Sequence, residues 1–147
     1  MLALLKQQKT LLFFIWLSGF LFNIVWEFNH CQLYLTCLNW TQDYAFKFLV
    51  LMSAKDGFFI VLFYLISVYL FKNINILKNK KQILFFVLIS LSFAFIDEKI
   101  STQLGRWEYN RSMPIILGVG SSPLFEIALT GFLTFLFVFK AFPGKNS

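Results

Sequence analysis

The sequence predicts an all-α fold, a four-helix transmembrane bundle with the amino and carboxyl termini in the cytoplasm. Three observations predict it. Hydrophobic residues make up 59% of the chain and charged residues 14%, a balance outside that of soluble domains. The apolar residues gather in four stretches, Thr10–Trp26, Phe58–Phe71, Ile83–Ile96 and Leu124–Phe139, and the segments between them hold nearly all the charge. Lysines mark alternate segments: Lys6 and Lys9 precede the first stretch, Lys72, Lys78, Lys80 and Lys81 follow the second, and Lys140 and Lys145 follow the fourth, with no acid among them. Basic residues in short loops favour the cytoplasmic side, so both ends and the middle loop are expected inside.

No repeat and no Pro- or Gly-rich linker divides residues 1–147, which read as a single integral membrane domain. Each clean apolar stretch falls short of the roughly 20 residues a crossing helix needs. Lysines close the cytoplasmic flanks, so each helix must extend at its other end, giving spans of about 9–27, 51–71, 82–101 and 122–140.

The first span has the charge pattern of a signal peptide, but no small-residue cleavage site precedes Trp26-Glu27, so an uncleaved helix is expected. The following segment, Glu27 to Tyr44, mixes Tyr34, Trp40 and Tyr44 with polar residues, as a segment lying along the membrane surface would. Cys31 and Cys37 fall within it. An oxidising compartment permits a bridge there, although six residues apart on a continuous helix the two would not meet. The second helix is expected to begin near Tyr44 or Phe46 and to run through Lys55-Asp56-Gly57, long, tilted or kinked at the glycine. The segment from Gly105 to Pro123 is apolar yet broken by Pro and Gly. It reads either as a lid dipping into the bundle, where protein or a water-filled cavity satisfies its backbone, or as a surface loop. Ser121 or Ser122 followed by Pro123 opens the last helix.

The carboxylates converge on one height. At about 1.5 Å per helical residue, Glu27 lies roughly 27 Å from Lys9, Asp56 roughly 24 Å from Lys72, Asp97 and Glu98 roughly 24–26 Å from Lys81, and Glu126 roughly 21 Å from Lys140. All four helices contribute to this layer, in the outer leaflet or at its boundary. Acids at such depth are costly and tend to mark function, while an ion-paired network with Lys55, Lys99 and Arg106 would instead fasten the bundle. Neighbours in sequence point about 100° apart on a helix, so only part of Lys55-Asp56 and of Asp97-Glu98-Lys99 faces inward. Glu126 has no charged neighbour in its apolar run, which makes it a candidate proton donor.

His30 follows Glu27 by three residues, on the same helical face. A Glu-x-x-His pair occurs in carboxylate-bridged metal sites of helix bundles. A di-metal site would need a second pair and the chain has one histidine, so no metal and no cofactor are expected, and His30 reads as the acid–base partner of Glu27 or as an interfacial polar group. Trp107 and Tyr109 project the same way if extended, as an aromatic wall over the layer or as interface anchors. The formal charge of +6 is spread over membrane boundaries without a nucleic-acid motif, which points to lipid headgroups rather than nucleic acid.

Taken together, Trp26-Glu27-Phe28-Asn29-His30, Lys55-Asp56-Gly57, Glu98, Trp107-Glu108-Tyr109 with Met113-Pro114, and Gly120-Ser121-Ser122-Pro123-Leu124 resemble a group of small bacterial four-span integral membrane proteins. Its pattern is a Trp-Glu late in the first helix, an Asp in the second, a Glu in the third, a Trp-x-Tyr before Met-Pro, and a Pro-Leu opening the last. The resemblance covers most of the chain and implies a site at Glu27, Asp56, Glu98, Trp107 and Tyr109, a multi-pass location in the bacterial inner membrane, and no particular substrate. Glu126 departs from it, standing where glutamine is usual.

The expected function is intramembrane acid–base chemistry on a lipid or apolar substrate entering from the outer leaflet. Glu27, Asp56, Glu98 and His30 are the candidate catalytic residues, and Trp107, Tyr109, Glu126 and Arg106 the candidate substrate-binding ones. Carboxylates sharing a partly dry site can divide into an ionised base and a protonated acid. No Ser-His-Asp or phosphate-loop pattern is present, which disfavours nucleophilic and nucleotide chemistry. The alternatives are a carrier or binding protein for a cation, proton or headgroup, and an accessory subunit of a membrane complex. Transport requires a polar path to the other face, and the inner halves of the spans show only Ser18, Ser67 and Ser90. Oligomeric state is left open.

Overall fold

A computed structural model describes residues 2–141, with side chains from Gln8 onward, so Lys145 and the Lys6 side chain lie outside the described residues. The chain is mostly helical: α1 (Leu2–His30), the short α2 (Leu35–Leu38), α3 (Gln42–Phe71), α4 (Lys80–Gln103) and α5 (Ser121–Ala141), with a two-stranded ribbon of β1 (Ile115–Ile116) and β2 (Val119–Gly120) before the last helix. Three of the helices, α1, α3 and α5, are long and apolar enough to cross a membrane. In α4 the two lysines at the start and Asp97-Glu98-Lys99 near the end leave a shorter apolar middle. The four long helices form one bundle in which α1 packs on α3 and α5, and α4 on α5 and α3.

Helix α3 begins earlier than the span expected from 51, because Thr41 caps it, its Oγ1 accepting from the Tyr44 N–H at 3.4 Å. Of the long, tilted or kinked helix expected through Gly57, the long one is observed: α3 runs unbroken for 30 residues. The glycine serves packing instead. A Cβ at Gly57 would lie 3.1 Å from both the Trp16 carbonyl oxygen and the Phe20 nitrogen of α1, so two helix backbones approach here as closely as they can without a side chain between them.

The two ends of the bundle differ in kind. At the lysine end, Ile15, Phe63, Tyr64, Phe86, Phe135 and Phe139 are buried in a single apolar core. Beneath it, α3 stops at Lys72, whose left-handed φ of 52° ends the helix, and Asn79 caps α4 by accepting from Lys81 and Gln82.

At the carboxylate end the two connecting segments are stitched into one cap. The chain leaves α1 through a 3₁₀ turn over Cys31–Leu33 and an extended Tyr34, with φ −115° and ψ 125°. This break overturns the continuous-helix geometry on which the cysteines would not meet: their Cα atoms lie 5.6 Å apart and Cys31 and Cys37 form a disulfide. Tyr34 pairs as a strand with Tyr109, flanked by Leu35 N–H donating to the Glu108 carbonyl and Asn110 N–H to that of Leu33. The segment before α5 combines features of both expectations. Met113 and Val119 are buried, whereas Leu117 at the hairpin tip is 82% exposed. The two-residue turn has positive φ at Leu117 and Gly118, the twist that suits a tight hairpin.

Candidate functional site

Glu27 lies in the last turn of α1, Asp56 midway along α3, Glu98 in the last turns of α4 and Glu126 in the first turns of α5. All four line one cavity of about 90 Å³, together with His30, Tyr34, Lys55, Asp97 and Trp107. A water needs about 10–15 Å³ of such space, so the cavity has room for several waters or one small polar group.

The structure decides which members of the charged runs face inward. Asp56 and Glu98 are buried, while the half-exposed Lys55 and Asp97 form an ion pair at 3.6 Å across α3 and α4. Of the expected binding residues, Trp107 and Glu126 reach the cavity. Tyr109 lies behind Glu98 instead of lining the cavity, and Arg106 is exposed on the loop.

Glu98 is held by three donors. Tyr34 and Tyr109 hydroxyls donate to its Oε1 at 2.8 and 2.7 Å, and the Trp107 indole N–H donates to Oε2 at 3.1 Å. The Tyr109 oxygen itself accepts from the Gly120 N–H at 2.8 Å, which directs its proton to Glu98. Burial first, and then the Glu98 carboxylate beside them, hold both phenols above their ordinary range, so both remain donors. Glu98 thereby ties α4 to both cap segments. Tyr34 was missed as more than an interfacial anchor; the signal available was its place between two cysteines whose pairing would fold it inward.

The opposite wall is unsatisfied. His30 Nδ1 lies 3.9 Å from Glu27 Oε2 and 3.9 Å from Glu126 Oε2, too far to hydrogen-bond. Both imidazole nitrogens and Glu126 Oε1 are buried without a hydrogen-bond partner. One ligating atom from each of Glu27, His30 and Glu126 lies within 4.8 Å of the other two, so among the described residues these three could hold a metal ion.

Deeper in the bundle, polar residues repeat at one-turn spacing below the acids: Asn23 under Glu27, Thr130 and Thr134 under Glu126, and Ser90 two turns under Glu98, all buried. Asn23 Oδ1, Ser90 Oγ and Thr134 Oγ1 have no partner. Sequence reasoning passed over Asn23, Thr130 and Thr134, although their helical spacing from Glu27 and Glu126 was visible.

Compared with protein-family models, with curated proteins and with solved structures, the chain matches none of them.

Proposed function

We propose that the protein is an intramembrane enzyme that performs acid–base chemistry on a lipid or other apolar substrate reaching the cavity from the outer leaflet. In this reading α4 is a fourth span, the lysine end faces the cytoplasm, and the chain belongs with the small bacterial four-span proteins of the inner membrane that its sequence resembles. The observation that carries the proposal is the convergence of five carboxylates, at least one from each of the four long helices, on one cavity.

The roles divide by satisfaction. Glu98, with both oxygens engaged, positions Trp107 and the cap. Glu27, Asp56 and Glu126, with His30 between two of them, are the groups free to exchange a proton with a bound substrate, and they do so between apolar walls that strengthen every charge interaction within. The test is comparative mass spectrometry of membrane lipids from cells lacking the gene, complemented with wild type or with Asp56→Asn. A lipid change reversed by wild type alone supports the enzyme and names its substrate class. Equal rescue by both, or no change, rejects it.

A second reading, binding or carriage of a proton or cation, is favoured by the unpartnered polar column of Asn23, Thr134 and Ser90. The apolar core of Phe86 and Phe135 interrupts that column before the lysine end. Proteoliposomes loaded with a pH-sensitive dye would discriminate: proton flux lost in Glu126→Gln favours the carrier.

A further inference from the structure

We propose that Glu27, His30 and Glu126 hold a single divalent first-row transition-metal ion, of the class of Zn²⁺, Mn²⁺ or Fe²⁺. The site is built from two helices. Glu27 and His30 present one oxygen and one nitrogen from the same face of α1, and Glu126 closes the set from α5.

Geometry supports one ion. Ligand atoms bound tetrahedrally at about 2.1 Å stand roughly 3.4 Å apart. The imidazole nitrogen here is 3.9 Å from each carboxylate oxygen, so small side-chain rotations bring all three onto a common centre. The same distances are too long for the hydrogen bonds that would otherwise satisfy these groups.

Burial supplies an independent reason. His30 is 5% exposed and Glu126 6% exposed, yet neither ring nitrogen and not Glu126 Oε1 has a partner. Buried polar atoms are nearly always paired in native structures, and orphans call for an explanation. Two carboxylates packed beside one another in an apolar bundle must also either hold a proton or find a counter-charge. The lysine of the cavity, Lys55, is paired with Asp97. A divalent cation answers both needs: it takes the lone pairs of His30 Nδ1 and the two carboxylates, and it offsets their charge. The second ring nitrogen, Nε2, then carries the proton, as the free nitrogen of a ligating histidine does.

The donor set selects the ion. Imidazole suits Zn and Fe, while carboxylates alone suit Mg, Ca and Mn, so one nitrogen with two oxygens favours first-row divalent metals over Ca²⁺. Three protein ligands leave an open coordination position, as catalytic sites do, and Asp56 on the same cavity is the remaining free carboxylate. The inference needs neither a lipid substrate nor an enzymatic reaction, and it stands or falls separately from them.

The experiment uses the full chain, purified in detergent through a tag without histidine and titrated with Co²⁺. One equivalent should bind, giving the visible absorption of a low-coordinate cobalt centre. Glu126→Gln and His30→Gln should weaken binding by roughly 10–100-fold or more, while Asp43→Asn, on an exposed residue, should not. Because the chain contains one histidine, pulsed electron paramagnetic resonance of bound Mn²⁺ should detect a single imidazole nitrogen, which assigns His30 in the wild type even where variants fail to fold. Folded wild type that binds neither ion overturns the proposal. So does bound Mn²⁺ without a nitrogen signal, or Co²⁺ affinity unchanged in both folded variants.

Discussion

Polar residues are buried at both ends of this bundle, and the two ends treat them oppositely. At the lysine end Gln82 donates to Ser67 Oγ at 3.1 Å and to the Asn73 carbonyl at 3.0 Å, and its own oxygen accepts from Asn73 Nδ2 at 3.2 Å. Tyr64 donates to the Ile74 carbonyl at 2.8 Å. This network closes on itself and ties α3 and α4 to the loop between them. Among the described residues, the buried side-chain atoms without partners run from Ser90 and Thr134 at mid-depth up to His30 and Glu126, and none of them belongs to this network. The difference separates fastening from what fastening leaves over: a polar group that serves the fold finds its partner within the fold, and these others do not. Glu98 shows that the distinction is not one of residue type, since it lies in the acid layer and is fully engaged.

The comparison can be broken by variants whose effects should fall on opposite sides of it. The largest loss of stability is expected from Phe86→Ala. Its ring is 1% exposed in the apolar core, and such truncations cost about 3–5 kcal/mol. Denaturation in mixed micelles should record that loss, while lipid turnover per folded molecule stays near wild type. Glu98→Ala should cost roughly 3 kcal/mol, because it strands two phenols and an indole that each lose a hydrogen bond. Proteolysis should then cut the segment around Arg106 and Arg111 faster, reporting an opened cap. Gly57→Ala should cost about 1–3 kcal/mol, since the new methyl meets backbone atoms of α1 that cannot rotate aside.

Smaller effects sharpen the contrast. In metal-free protein, Glu126→Gln should leave stability unchanged or raise it by about 1 kcal/mol, because it removes a buried acid with an unpartnered oxygen. The same change should remove the metal bound through Glu126, a separation of stability from binding that Phe86→Ala does not give. The pH dependence of stability that the two cap phenols contribute should fall in alkaline conditions. Tyr34 and Tyr109 hold their protons more tightly when folded than when unfolded, so their contribution is complete below about pH 10, where unfolded phenols titrate, and is lost as pH rises beyond it. Tyr34→Phe should flatten that alkaline decline in a melting series.

Much of the architecture was legible in the residue string. Lysines at alternate boundaries and a fixed rise per residue sufficed to put Glu27, Asp56, Glu98 and Glu126 at one level, since helix length converts sequence position into depth without knowledge of the neighbours. Apolar stretches located the long helices for the same reason, to within the extra turns that Thr41 and Asn79 add by capping. What depth does not contain is rotation and approach. Whether Asp56 or Lys55 turned inward, and which of Asp97, Glu98 and Lys99 did so, depended on how each helix was rolled against its partners. Gly57 read as a place where a long helix tilts or kinks, whereas its use as a contact surface required the backbone of α1 beside it. The cysteines read as separated because a helix was assumed to continue, and a single extended residue at Tyr34 brought them together.

The Glu27–His30 pair was visible at its spacing of three. The third member of that cluster came from the other end of the chain, and nothing in a sequence says which carboxylate will face a given imidazole. The sequence by itself determined composition, helix positions and the level of the acids, because each follows from local chemistry and from the solvent. Only the tertiary structure decided that Glu98 is satisfied and that His30 and Glu126 are not, because a hydrogen-bond partner belongs to the space between helices.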